Sequence, residues 1–168
     1  LLTPTPHPPG AVVPIYNVPE LGSTDVLVLS KELIVLVFAG IITHWNDTSL
    51  VAIQCASVAS KLASIAEPIK LIVREDGSGT TEIFKRALND FTGSSNTGAD
   101  NVWYTAFNSS GLTVASGASK DYNVRKEAVW PAAAAATYCD GNSGVAACTA
   151  ATSYSIGYSV RNLALVAI

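Results

Sequence analysis

The chain has 168 residues, 49% of them hydrophobic and only 14% charged, with a mean hydropathy of +0.33, which predicts one domain, or at most two small ones, and excludes disorder over most of its length. Ten Lys and Arg against thirteen Asp and Glu give a formal net charge of -3; without a basic run, no nucleic acid is expected as a partner. Apolar stretches are broken repeatedly by Gly, Pro, Ser and Asn and never approach the roughly 20 residues of a membrane helix, so no membrane insertion is expected.

Leu1 to Gly10 reads Leu-Leu-Thr-Pro-Thr-Pro-His-Pro-Pro-Gly, a Pro/Thr-rich linker or arm that favours extended polyproline geometry. The absence of Met and the start at Leu1 are read as a processed or partial chain. Residues 11–168 form the domain proper. Ala11 to Asn17 reads as a strand, closed by a turn at Asn17-Val18-Pro19-Glu20, and Val26 to Leu29 as a second short strand. Ser30 is placed as the N-cap of a helix carrying Leu33, Ile34, Val37 and Phe38 on one face and stopped by Gly40. Asp47 or Thr48 caps a second helix holding Leu50, Val51 and Ile53, and Cys55 is expected as a buried free thiol. The compact run Ile69-Lys70-Leu71-Ile72-Val73-Arg74 predicts a buried strand.

That strand ends in Glu75-Asp76-Gly77-Ser78-Gly79-Thr80-Thr81. From Thr80 onward Ile83, Phe84, Ala87, Leu88 and Phe91 recur at helical spacing, so the glycine-rich turn joins a strand to a helix N-terminus. Ser94 to Ser119 is Gly/Ser-rich with aromatic islands at Trp103, Tyr104 and Phe107 and reads as a loop-heavy excursion. Order resumes at Val129-Trp130-Pro131. A turn over Gly141 to Gly144 leads into a short Ala-rich helix, Ser155-Ile156-Gly157-Tyr158 is a strand, and Leu163 to Ile168 is a final apolar strand.

Of three cysteines, Cys139 and Cys148 flank the Asp140-Gly141-Asn142-Ser143-Gly144 turn. They are read as a disulfide, against two small buried side chains or half a metal site. Two glycosylation sequons, Asn46-Asp47-Thr48 and Asn108-Ser109-Ser110, favour the same oxidising setting. The expectation is a secreted or extracellular protein, periplasmic if bacterial.

The chemistry concentrates at Arg74 to Thr81. Two glycines let backbone approach a ligand, helix N-terminal amides favour negative charge, and the Ser78 and Thr80 hydroxyls add donors. Arg74 supplies a guanidinium fork, and Asp76 can orient it or accept a proton from a protonated anion. No Gly-Lys-Ser/Thr of a P-loop is present, and Gly77-Ser78-Gly79 lacks the spacing of a nucleophile elbow. No catalytic residue, metal site or cofactor is expected, and the protein is read as a non-enzyme. The plainer alternative is a tight glycine-rich turn capped by Ser or Thr.

Several motifs occur in an order that resembles the phosphate-binding receptors of Pst-type transporters, of the type II periplasmic-binding-protein fold. They are Val12-Val13-Pro14-Ile15-Tyr16-Asn17-Val18-Pro19-Glu20-Leu21; Leu29-Ser30 with Phe38 through Asp47; Val73-Arg74 through Thr81; Val129-Trp130-Pro131; and Ser155-Ile156-Gly157-Tyr158. The resemblance runs from about Ala11 to Ile168 and implies an α/β fold, a single lobe with a mixed sheet flanked by helices. It implies phosphate contacts at Arg74, Ser78, Gly79 and Thr80 with Asp76 paired to the arginine, and packing roles for Trp45 and Trp130. The stretches around Val12 to Tyr16 and Ile156 to Tyr158 become adjacent interlobe crossings. The family's first lobe has no counterpart here, and its cysteine pattern does not include Cys139 and Cys148. Two functions follow: a secreted domain that binds phosphate or a similar oxyanion, weakly because half the cleft is missing, or a glycosylated structural subunit of a filament or matrix. The expected partner, besides the anion, is a first lobe elsewhere or further copies of the chain paired through terminal strands such as Leu163 to Ile168.

Overall fold

The computed structural model describes residues 11–91, 102–109, 130–131 and 136–160. The elements run β1 (Val12–Asn17), α1 (Lys31–Phe38), α2 (Thr48–Ala52), α3 (Ala56–Ala63), β2 (Lys70–Arg74), α4 (Gly79–Phe91), α5 (Val102–Ser109), β3 (Ala136–Cys139), α6 (Gly141–Ala151) and β4 (Ser155–Val160). The arm at 1–10, the apolar stretch at 163–168 and the Asn108 side chain lie outside the described residues.

The strands form one mixed sheet in the order β1-β4-β2-β3. β1 runs antiparallel to β4, with Tyr16 opposite Ile156 and Pro14 opposite Tyr158, so the two expected crossing segments are neighbours. Pro14, which has no N–H to give, is tolerated because β1 is an edge strand. β2 runs parallel to both β4 and β3, which requires helical crossovers. Those crossovers cover both faces. Leu71, Val73, Ile156 and Tyr158 pack with α1, α4, α5 and Trp130, whereas Ile15, Ile72 and Cys139 pack with Val145 of α6. The fold is α/β, a mixed sheet between two helical layers.

Local chemistry sets the helix ends. The Ser30 hydroxyl accepts from the Leu33 amide at 3.2 Å. At the other end of α1, Ile41 N–H donates to Leu36 and Gly40 N–H to Val37, at 2.9 and 3.0 Å, and Gly40 takes φ 74°, a left-handed stop that a glycine accommodates at low cost. Asp47 caps α2 by accepting from the Ser49 amide at 2.9 Å. On the α1/α4 face the core is aromatic: Phe84 stacks on Tyr158 with ring centroids 4.6 Å apart, Phe38 meets Phe84 edge-on at 4.9 Å, and Trp130 lies 5.5 Å from Tyr158. Trp45 and Trp130 are both buried in this core.

Several expectations are corrected. Val26 to Leu29 is not a strand; the backbone of Val28 is instead satisfied by the Gln54 side chain, which accepts from its N–H at 2.9 Å and donates to its carbonyl at 2.8 Å. Cys55 is free but exposed, since it precedes α3 rather than lying on the inner face of a helix. The excursion after Ser94 contains α5, anchored by the buried Trp103. β3, Ala136-Thr137-Tyr138-Cys139, lacks the compact Ile-Val run that marks β2. Gly141 to Gly144 is the first turn of α6 rather than a separate turn. Finally, Ile83 is exposed, and α4 buries Thr81, Phe84, Lys85 and Leu88; the buried Lys85 ammonium sits 5.0 Å over the Trp130 ring, which offsets part of its desolvation.

Candidate functional site

Arg74 and Cys139 stand opposite each other at the carboxyl ends of the adjacent parallel strands β2 and β3. The chain leaves β2 for α4, on the Tyr158 face, and leaves β3 for α6, on the other face. Adjacent parallel strands whose following helices diverge to opposite faces open a crevice at their carboxyl ends, the switch point where open α/β sheets bind ligands. The ends of β1 and β4 nearest this crevice are Val12 and Val160, which pair with each other.

Arg74, at the carboxyl end of β2, is buried and fixed by its partners. Its Nε donates to Asp76 Oδ1 at 2.6 Å, Nη2 pairs with Asp76 Oδ2, and Nη1 donates to Asn142 Oδ1 at 2.7 Å. Asp76 Oδ1 also accepts from the Gly141 amide at 3.2 Å. The Arg74 guanidinium, and then the Gly141 amide, hold the Asp76 carboxyl down to about 2, while the same hydrogen bond to Asp76 raises Arg74. The pair is therefore a fixed fork, charged at any ordinary pH.

The turn between β2 and α4 places the remaining candidates. Ser78 is buried and its hydroxyl accepts from the Thr81 amide at 3.2 Å, capping α4. Gly79 opens the helix, and a Cβ built on it would meet no described atom within 4 Å; packing against the described residues does not require glycine here. Thr80 Oγ1 accepts from Asn142 Nδ2 at 3.4 Å. Beneath the turn, the Tyr158 hydroxyl accepts from the Arg74 amide at 3.3 Å and lies 2.7 Å from Thr81 Oγ1.

Arg74, Asp76 and Thr80 are thus brought together, and Ser78 and Gly79 form the adjoining helix start. Asn46 is exposed just before α2, remote in sequence from this turn. Cys139 is joined to Cys148 by a disulfide, which ties the end of β3 to the middle of α6. The residue that sequence reasoning missed is Asn142. It was legible in one respect: Asp76-Gly77-Ser78-Gly79 and Asp140-Gly141-Asn142-Ser143-Gly144 both carry Asp-Gly where a strand gives way to a helix. Two such units side by side aim two helix N-termini at one place.

Comparison with known proteins bears on this geometry. A family model described as a PBP superfamily domain matches residues 9–164. The phosphate-binding protein PstS of Methanocaldococcus jannaschii is 40% identical over 80 residues, 48% of this chain and 20% of that protein. PstS of Pasteurella multocida is 31% identical over 150 residues, 89% of this chain and 34% of its own length. A putative serine/threonine-protein kinase/receptor of Acanthamoeba polyphaga mimivirus is 34% identical over 79 residues, which are 46% of this chain and 5% of the viral protein. The matched stretches span at most 34% of any of these three relatives.

Proposed function

We propose that this chain, which belongs to the PBP superfamily, is a non-catalytic domain that binds phosphate or a similar oxyanion in the crevice between β2 and β3. The observation that carries the proposal is the Arg74 fork, held by Asp76 and Asn142 where the first turns of α4 and α6 meet. Arg74, Ser78, Gly79 and Thr80 supply the donors in this reading, and Asp76 keeps the guanidinium in plane. Relatives named as phosphate-binding proteins support the choice of anion.

The mechanism is electrostatic and geometric. Among the described residues no acceptor pairs with the Gly79 and Thr80 amides, which are orphan donors of a helix start and favour an anion. Because Asp76 neutralises Arg74, recognition rests on directed N–H and O–H groups rather than on net positive charge. A single lobe leaves one side of the anion in water, where each hydrogen bond contributes little, so affinity for the isolated chain is weak, in the millimolar range. A facing wall from a first lobe or another chain would desolvate the anion and tighten binding.

The same proposal places the protein in a secreted or extracellular setting. A disulfide between Cys139 and Cys148 suits an oxidising compartment, and Asn46 of the first sequon is exposed. The filament alternative rests on residues 163–168, outside the described structure, and no described feature favours it. Equilibrium dialysis with radiolabelled phosphate tests the function: the chain should retain label and Arg74→Ala should not. Equal retention by the two would remove Arg74 from the site.

A further inference from the structure

We infer that Asn142 is a positioning residue of this site, acting through Arg74 and Thr80 to turn both toward the ligand as donors. The inference rests on the oxyanion reading and adds to it a cause of specificity. Two side chains join the two strand-turn-helix units: Asp76 accepts from the Gly141 amide, and Asn142, from the first turn of α6, touches the end of β2 through Arg74 and the start of α4 through Thr80.

The donor arithmetic is restrictive. A guanidinium has five N–H groups and no acceptor, so the Asn142 atom facing Arg74 must be the carbonyl oxygen, and its NH2 must face Thr80. Asp76 engages Nε and Nη2, and Asn142 engages Nη1, which among the described residues leaves two N–H groups with fixed directions. On the other side, Thr80 Oγ1 accepts from the Asn142 amide, and among the described residues nothing holds its own O–H, which can point outward. Ser78 behaves alike, because its oxygen already accepts from the Thr81 amide. Arg74, Ser78 and Thr80 thereby face a ligand as donors. An anion that offers an acceptor at each contact is favoured, and one that places an O–H there meets a donor with no partner.

An Asp at this position would still accept from Arg74 but could not donate to Thr80. The Thr80 hydroxyl would turn toward the new carboxylate, and a second negative charge would stand at the anion site. Yet a carboxylate in the first turn of a helix favours the fold. Asn142→Asp should therefore lose anion affinity without losing stability, and should lose more affinity than Asn142→Ala. Charge repulsion alone would also give this ordering, so the positioning role is read from Asn142→Ala and from the Arg74 guanidinium.

The test measures phosphate affinity and thermal midpoint for the unmodified chain, Asn142→Ala and Asn142→Asp, with nitrogen-15 spectra of the Arg74 guanidinium assigned by Arg74→Lys. Asn142→Ala should weaken phosphate binding about tenfold and Asn142→Asp about a hundredfold, with the midpoint of Asn142→Asp no lower than that of the unmodified chain. Restricted rotation at Arg74 Nη1 should be present in the unmodified chain and in Asn142→Asp and lost in Asn142→Ala, while Nη2, which Asp76 holds, stays restricted in all three. The inference is overturned if both variants bind phosphate like the unmodified chain, or if the guanidinium spectrum is the same with and without Asn142. Failure of the unmodified chain to bind phosphate would overturn the oxyanion reading instead, and the guanidinium spectrum would still decide whether Asn142 positions Arg74.

Discussion

The hydroxyls of Tyr158 and Thr81 lie 2.7 Å apart, under the first turn of α4. The same tyrosine oxygen accepts from the Arg74 amide at 3.3 Å, so one buried phenol on β4 anchors both the end of β2 and the start of the helix that follows it. Replacing it by Phe keeps the stacking on Phe84 but leaves the Arg74 N–H without its acceptor and the Thr81 hydroxyl without its partner. Tyr158→Phe should cost about 1–3 kcal/mol, read as a lower urea midpoint at neutral pH. Burial also pushes the Tyr158 hydroxyl up to about 12, above an ordinary tyrosine near 10. Its contribution is therefore fully present below about pH 10 and is lost as pH rises through about 12. The Tyr158→Phe chain should show a flatter alkaline decline.

At the acid end the sign reverses. Asp76 is held near 2 by Arg74, below the unfolded value of about 3.9. Its stabilisation is present above about pH 4 and is lost as pH falls toward about 2. Thermal midpoints taken between pH 6 and pH 2 should fall less steeply for Asp76→Asn than for the unmodified chain. Parallel curves would mean that the fork contributes nothing to folding.

Two glycines should respond in opposite ways to the same added methyl. At Gly157 a Cβ would lie 2.9 Å from both the Ile72 carbonyl oxygen and Thr149 Oγ1, and 3.1 Å from Val145 Cγ1, because α6 packs directly on β4 there. Gly157→Ala should destabilise by about 1–3 kcal/mol. At Gly79 the methyl meets only open space among the described residues, in a helix that favours Ala. Gly79→Ala should fold at least as well as the unmodified chain and bind phosphate at least tenfold more weakly, as expected if the ligand approaches the backbone at that point. Denaturant melts paired with phosphate titrations separate the two cases.

The Cys139–Cys148 disulfide closes a short loop and on the chain-entropy model is worth ~2–3 kcal/mol. Cys139→Ser with Cys148→Ser should lower the unfolding midpoint accordingly. In the unmodified folded chain a thiol reagent should titrate Cys55 alone, since that thiol is exposed and the Ser57 hydroxyl lowers its proton affinity. Two or three reactive thiols would contradict the pairing.

What the sequence made legible was local. Ser30, Asp47 and Gly40 announce helix ends because a cap is a contact within a few residues, and Arg74 to Thr80 stands out as the candidate site because its glycines, hydroxyls and helix start are contiguous. What stayed hidden depends on partners far along the chain. Val26 to Leu29 has the composition of a strand, yet Gln54 satisfies Val28 from outside any sheet. β3 carries Ala136, Thr137, Tyr138 and Cys139, and is a strand because β2 lies beside it. Asn142 joins the site across 68 residues, and only the parallel pairing of β2 with β3 reveals that its helix and that of Thr80 start at the same edge of the sheet.

The most direct test of the proposed phosphate site is a phosphate titration followed by amide shifts in proton–nitrogen correlation spectra, run at constant ionic strength against a chloride control. The account predicts saturable shifts at Gly77, Ser78, Gly79 and Thr80, and at Gly141 and Asn142 across the crevice, all absent in Arg74→Ala. Shifts that fall elsewhere, or that persist unchanged without the Arg74 guanidinium, would contradict it.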